Sequence, residues 1–384
     1  MKAKISLSSG VSFLLFIVFF PLDFLGNFQR EFTRFLFSDI TEIISLTVFN
    51  KTNIRIDFSS DSLSMFILIG ILIVISILIP FFIRSKYRKN FNLLIEQIVV
   101  CYLIIILFKY GIDKIFKTQF YLPEPNILYS RFGNLDKDIL FWSVIGISGL
   151  YSVLTGFVEV LAAVLLIFRN TKIIGSLLSS AIFLNITFIN FGFDISGKLF
   201  SLILFLMSIF CLKDDVAKLY RFLILKKLER LEDFNIKKSK PWMVFVKTLV
   251  VGIILVTVMM QHTSSGSYND DMSIRPDLHG AYKVLNENSE LKYVFFHRRN
   301  YLILMDKNDE VSDFKYAITS DSSKIILEDY NGNKEVAELK FQKSDSILTI
   351  NLKGLNLKTK RQNWKEMNVL KPLFHWNIED ADND

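Results

Sequence analysis

Apolar blocks of about twenty residues recur through the first 260 positions, and they constrain this chain more than any other feature. A helix needs roughly 20 apolar residues to cross a hydrocarbon core about 30 Å thick, and lipid offers no partners for a loose backbone. Seven blocks qualify: 11–27, 62–84, 94–114, 144–168, 172–193, 197–212 and 242–260. The first follows Lys2 and Lys4 but runs into Pro21-Leu22-Asp23 with no small-x-small cleavage pattern, so it reads as a retained helix rather than a leader. The sixth is short and would stand nearly upright or thin the bilayer.

Charge sets an orientation. With the N-terminus inside, the inner segments are MKAK, RSKYRKN, RNTK and 213–240, and each is rich in Lys and Arg. The intervening segments 28–61, 115–143 and 194–197 are mixed. This is the positive-inside pattern. It explains the net charge of +7 as a topology signal facing anionic lipid, with no nucleic-acid partner. The N-terminus then faces the cytoplasm and everything after 260 lies outside, in the periplasm if the membrane is a bacterial inner membrane. The Lys-, Asn-, Ile- and Phe-heavy composition suits an AT-rich bacterial genome.

After Met260 the text changes. Residues 261–275 are a polar linker, and from Leu278 short strands alternate with turn residues. The strands fall at 281–285, 291–297, 300–305, 311–318, 323–329, 335–342, 346–352 and 356–361, with Asn331-Gly332 as the strongest hairpin cue. The spacing predicts an all-β meander closing into a small barrel, with residues 275–380 folding alone. Tyr293, Phe295, Tyr301, Phe314, Tyr316, Phe341 and Trp364 are candidates for its interior, as plain core or around a ligand cavity. The fold class is thus a polytopic α-helical membrane protein of about seven spans plus this C-terminal domain. The organisation is 1–90 (two membrane helices and an outer loop), 91–215 (a four-helix bundle), 216–260 (a basic cytoplasmic loop and the last span), the linker, and 276–384.

Ionisable residues inside a span are costly and mark candidate sites. Glu159 lies ten residues before Arg169, roughly 15 Å deep at 1.5 Å per residue. Asn185 falls at similar depth on the next helix, so a Glu159–Asn185 hydrogen bond is expected, as a functional pair or as packing glue. Gly156 would let another backbone approach. A second cluster collects at the outer ends: Lys109, Tyr110, Asp113 and Lys114 after block three, Asn190 and Asp194 after block five, and Lys198 opening block six. The pairs Lys109–Asp113 and Tyr110–Lys114 are four apart and face each other. Together these residues would line a pocket entered from the outer leaflet, with Glu159 and Asn185 as its floor. The alternative is snorkelling at the interface. No catalytic constellation is visible. Two cysteines, Cys101 and Cys211, and four scattered histidines leave no disulfide scaffold, haem pair or metal cluster.

Residues 106–215 resemble the DoxX-like membrane proteins. The matching motifs are KYGIDKIFKTQF (109–120), WSVIGISGLYSVLTGFVEVLAAVLLIFR (142–169) and NITFINFGFDISGKLFSLILFLM (185–207). The layout, with added N-terminal helices, a seventh helix, a soluble C-terminal domain and a closing Phe374-His375-Trp376, resembles the long form found in Bacteroidota. The resemblance implies a four-helix core related to a subunit of thiosulfate:quinone oxidoreductase and to vitamin K-dependent carboxylase-type membrane domains. It points to Lys114, Glu159, Asn185, Asn190, Asp194 and Lys198 as recurrent polar positions, and to a lipophilic ligand, a quinone or a lipid, bound without covalent attachment. Three readings follow: a bundle that binds such a molecule, a membrane subunit that exchanges electrons with quinone through a periplasmic or membrane redox partner, or an envelope structural protein with no small ligand.

Overall fold

The computed structural model describes residues 2–20, 27–52, 54–58, 61–226, 249, 251–253, 255–260, 269–319, 323–342, 346–352 and 355–371. The described helices are α1 (Lys2–Phe19), α2 (Asn27–Phe49), α3 (Leu63–Phe82), α4 (Ser85–Ile115), α5 (Pro125–Leu128), α6 (Lys137–Ile147), α7 (Gly149–Ile167), α8 (Lys172–Gly192), α9 (Lys198–Cys211) and α10 (Val216–Leu223). The chain forms two compact units: Met1–Gln119 with Leu150–Tyr268, and Phe120–Gly149 with Asn269–Asp384.

Among the described residues of the first unit, four helices are long and apolar enough to cross a membrane: Leu63–Phe82, Ser85–Ile115, Gly149–Ile167 and Arg169–Gly192. Ile5–Phe19, Lys198–Cys211 and Val251–Met260 are shorter apolar helices, and the opening of the last predicted block, 242–248, lies outside the described residues. Helix α4 is central. Every residue from Tyr102 to Leu107 is buried, so it is covered on all sides rather than along one stripe. Around it, α1, α3, α7, α8 and α9 contribute Leu7, Leu72, Leu166, Phe183 and Met207 to one apolar core. Helices α8 and α9 meet along small residues, and Ser180 and Ser208 share a hydrogen bond of 2.9 Å. Asp61, just before α3, accepts from the backbone N–H groups of Gly197, Lys198 and Leu199 at 2.7, 2.8 and 3.0 Å. An anion there satisfies the orphan donors at the start of α9 and brings the first turns of α3 and α9 together.

Three sequence readings are corrected. The segment 28–61, read as a loop, contains the 23-residue helix α2. Its five charges hid it from a search for uninterrupted apolar runs. The first helix runs from Lys2 to Phe19 rather than over 11–27. The block 144–168 is divided at Ser148, whose ψ of 89° ends α6 before α7 begins. Residues Phe120–Gly149, α6 included, therefore belong to the compact unit of the C-terminal domain, not to the 91–215 segment.

In the second unit, eight antiparallel strands close into a barrel in chain order, β1 (Gly280–Val284), β2 (Leu291–Phe296), β3 (Tyr301–Asp306), β4 (Val311–Ile318), β5 (Lys324–Glu328), β6 (Lys334–Gln342), β7 (Ile347–Leu352) and β8 (Leu355–Gln362), the last pairing with the first. The expected strands and the Asn331-Gly332 hairpin are in place, Gly332 taking φ +82°. Closure removes the exposed edges. The interior is filled by Tyr282, Val294, Phe296, Leu302, Tyr316, Ile325, Leu327 and their neighbours, as an eight-stranded barrel of this bore allows. Of the predicted lining residues, Phe314 and Tyr316 point in. Tyr293, Phe295, Tyr301 and Trp364 instead form a second cluster with Ala281, Ile303 and Met305. Tyr293 and Phe295 alternate with the inward Val294 and Phe296, so they stand on the barrel's outer wall. Phe341 is 42% exposed.

Candidate functional site

Among the described residues, buried ionic clusters stand out in both units. In the first, Lys114 of α4 meets Glu159 of α7, its Nζ 2.8 Å from each carboxylate oxygen. Both side chains are buried. The helices can bring them together because Gly111 and Gly156 face each other: a Cβ on Gly156 would sit 2.5 Å from the Gly111 carbonyl oxygen. Ser152 Oγ donates to the Lys114 carbonyl at 2.9 Å, and the Tyr110 ring lies 5.8 Å from the ammonium. A lone charge here would cost several kcal/mol, and the pairing offsets part of that cost.

The other predicted site residues separate into local pairs. Lys109 and Asp113 form the expected pair at 2.9 Å. Asn185 does not reach Glu159: it lies on the exposed face of α8 with Ala181 and Phe188. The helical phase turns Asn185 away, and Lys114, expected at the mouth of the pocket, meets Glu159, expected at its floor. Asn190 donates to the Gly197 carbonyl and the Ser201 hydroxyl at 3.2 and 3.1 Å, and Asp194 pairs with Lys198 at 2.7 Å. These three tie α8 to α9. Sequence reading also missed Glu96, 2% exposed, which pairs with Lys172 and, at 3.1 Å, with Lys213. An acid two residues inside the block 94–114 was the available signal.

The cluster in the second unit is built on Glu124, which precedes α5 in the segment between α4 and α7. Its Oε2 lies 2.9 Å from His279 Nε2 and 3.9 Å from His297 Nε2, and its Oε1 lies 3.3 Å from Arg298 Nε. Arg298 also pairs with Asp270, and its guanidinium lies 3.4 Å from the centre of the Tyr121 ring. Asp271 accepts from the Leu122 backbone N–H at 2.7 Å. Further along, Tyr129 packs on Tyr293 and Phe295 with ring centres 4.7 and 5.7 Å apart, and Arg131 pairs with Asp309 at 2.5 Å. Residues 121–131 thus form a strap on the outer wall of β1–β3, pinned by ions at both ends and by apolar packing between. Burial pushes the Glu124 carboxyl up, but the His279 hydrogen bond and the charges of His297, His279 and Arg298 overrule it and hold the group below the usual carboxylate range. Burial, with Arg298, Arg299 and His279, lowers His297 against the opposing pull of Glu124.

The architecture defines a membrane-associated protein: a helical unit with four helices of membrane-crossing length, and a closed eight-stranded antiparallel barrel. The uncharacterized protein YwoB of Bacillus subtilis (strain 168) is 34% identical to it over 111 residues, 29% of this chain and 70% of that protein. The chain belongs to the same family as YwoB. No family model and no solved structure matches it.

Proposed function

We propose that this is a DoxX-like integral protein of the bacterial inner membrane, with its N-terminus in the cytoplasm and its barrel in the periplasm. Its bundle binds a lipophilic molecule, a quinone or a lipid, beside Lys114 and Glu159. The observation that carries the reading is that buried pair. An ammonium and a carboxylate held between apolar helices give a donor for a quinone carbonyl and an acceptor for a quinol or lipid hydroxyl, next to a hydrocarbon bed. The strap supports the topology. Residues 121–131, in the connection from α4 to α7, pack on the barrel within one unit, so this reading assigns that connection and the barrel to the same side. Basic inner segments assign that side to the periplasm.

The test is lipid extraction from the purified full chain followed by mass spectrometry, with bulk membrane of the same host as reference. A quinone or one lipid class enriched in the wild type and lost from the Lys114→Met, Glu159→Leu double variant supports the reading. Extracts that match bulk membrane in both overturn it. For topology, an export-dependent reporter fused after Asp384 is expected to be active, and activity of a cytoplasmic reporter in its place would reverse the orientation.

A further inference from the structure

Helix α2 buries one stripe and leaves a broad apolar arc exposed. Gln29, Thr33, Phe37, Thr41 and Ser45, at a constant step of four, are its buried residues. The residues it buries are mostly polar, the reverse of a soluble amphipathic helix. At about 100° per residue, Phe28, Phe32, Phe35, Leu36, Ile43 and Leu46 occupy an arc of about 100° outside that stripe, Glu31 and Glu42 flank this arc on one side, and Arg30 and Arg34 fall among the buried positions. All six are exposed, Phe28 at 79% and Phe35 at 84%, and Asp39 alone interrupts their arc.

The helix lies across the end of α1. Gln29 Nε2 donates to the carbonyls of Ile17 and Val18 at 3.0 and 2.8 Å, and Thr33 Oγ1 donates to that of Phe19 at 2.8 Å. These are carbonyls from the last turn, which have no partner within their own helix. Phe32, Thr33 and Phe37 all meet the one residue Phe19. An antiparallel neighbour would instead meet residues progressively further back along α1. Helix α2 therefore crosses the helix end instead of running beside it. It connects two apolar helices, α1 and α3, that themselves pack together.

We propose that α2 is an interfacial lipid-docking helix. It lies in the plane of the membrane surface and presses the face of Phe28, Phe35 and Ile43 into phospholipid acyl chains. One side to the protein, and an exposed apolar arc flanked by the carboxylates of Glu31 and Glu42, is the pattern of a helix at the rim of a bundle, with lipid below and water beside it. The occupant is phospholipid because the helix crosses the end of the apolar helix α1, which puts its arc of exposed apolar side chains where that helix ends, at the level of the headgroups. The inference rests on the apolar helices around it and is independent of any ligand in the bundle.

The test places an environment-sensitive fluorophore on Phe35→Cys or on Glu31→Cys of the full chain in phospholipid nanodiscs. Labelled wild type supplies the background from Cys101 and Cys211. The probe at 35 is expected to be blue-shifted, shielded from aqueous iodide, and quenched roughly twofold more by lipids brominated near the glycerol than by lipids brominated near the chain end. The probe at 31 is expected to be quenched by iodide. Strongest quenching at 35 by chain-end bromines would mean that α2 crosses the membrane. Iodide quenching at 35 would place that face in water, and protection from every quencher would mean that protein covers it. Each of these outcomes overturns the proposal.

Discussion

The Glu124 carboxylate and the His279 imidazole, 155 residues apart in sequence, meet at 2.9 Å in a buried pocket between the strap and the barrel wall. Glu124→Gln removes the charge that His297 and Arg298 also face. Breaking one partner out of a buried ionic cluster costs about 3–5 kcal/mol. The strap is expected to loosen while the closed barrel persists. Limited proteolysis with peptide mapping checks this: cleavage within 120–135 should accelerate in the variant, with cleavage within 280–362 unchanged. Equal rates in variant and wild type would show that the cluster does not hold the strap.

Acid is expected to do the same. The Glu124 carboxyl is depressed in the folded protein, so its contribution is full above its unfolded value of about 4.3 and is lost as pH falls through the folded one. His297 is also depressed, so the unfolded chain takes up its proton first. That contribution is full above about 6.5 and fades between there and the lower folded value. Both groups have the same sign. Hydrogen exchange at 121–131 should rise as pH drops from 7 to 4 beyond the intrinsic pH dependence of exchange, first in the histidine range and then in the carboxylate range. Protection that grows on acidification would contradict the assignment.

Periodicity explains which parts of this fold were legible. The strands β1–β8 announced themselves through alternation and turn residues, and the long blocks of α3, α4 and α8 through length. Tyr293 and Phe295 were misplaced because β2 is apolar on both faces. Taken alone, Leu291–Phe296 does not say which face is inside; a doubly apolar strand signals only that both faces are covered. The cover is a strap more than 150 residues upstream, and no local pattern records it. Glu159 was legible as a buried charge, but depth fixes only one coordinate of a partner. Helical phase, set by how Gly111 and Gly156 seat α4 against α7, chose Lys114 over Asn185.

That same seat gives a prediction. At Gly156 a methyl would press on the Gly111 carbonyl, the Lys114 Cβ at 3.0 Å and an Ile115 carbon at 2.9 Å. Two of these contacts belong to backbone or to a Cβ, which cannot swing aside. Gly156→Ala is expected to separate α4 from α7 and lower detergent thermal stability by about 1–3 kcal/mol, the usual cost of overpacking. Gly70→Ala, where nothing lies within 4 Å, should be neutral and serves as control. A differential thermal shift near zero between the two would show that the close approach is not required.

The ion pair separates a role in function from a role in packing. Glu159→Gln or Lys114→Met alone leaves an uncompensated buried charge or polar group, and each should destabilise the bundle by about 3–5 kcal/mol. The double variant Lys114→Met, Glu159→Leu fills the same space without charge and is expected to recover most of that stability, since a buried pair is often replaceable by apolar residues. If the pair is only glue, the double variant should also complement a deletion strain. The functional reading expects a stable protein that fails to complement. Stability in detergent and complementation, measured on all four proteins, decide it, and a double variant that complements fully would remove Lys114 and Glu159 from the functional site.

The barrel's independence is the remaining test. Its strands close on themselves, and Tyr282, Phe296, Leu302 and Leu348 fill the interior without help from other segments. The outer wall of β1–β3 does need help. Tyr293 and Phe295 are covered by Tyr129, and the same cluster takes in Leu122 and Leu128. An aromatic side chain buries about 150–250 Å², so at about 25 cal/mol per Å² uncovering even two of them forfeits several kcal/mol. Residues 269–371 expressed alone are therefore expected to give a β-sheet circular dichroism spectrum yet self-associate through that wall. Fusing residues 120–135 to the same fragment through a flexible linker should return a monomer. Far-UV circular dichroism with light scattering on both proteins checks it. A disordered or helical spectrum would refute the barrel as an autonomous fold. A monomeric fragment without residues 120–135 would show that the strap is held by the barrel but is not needed to keep its wall from water.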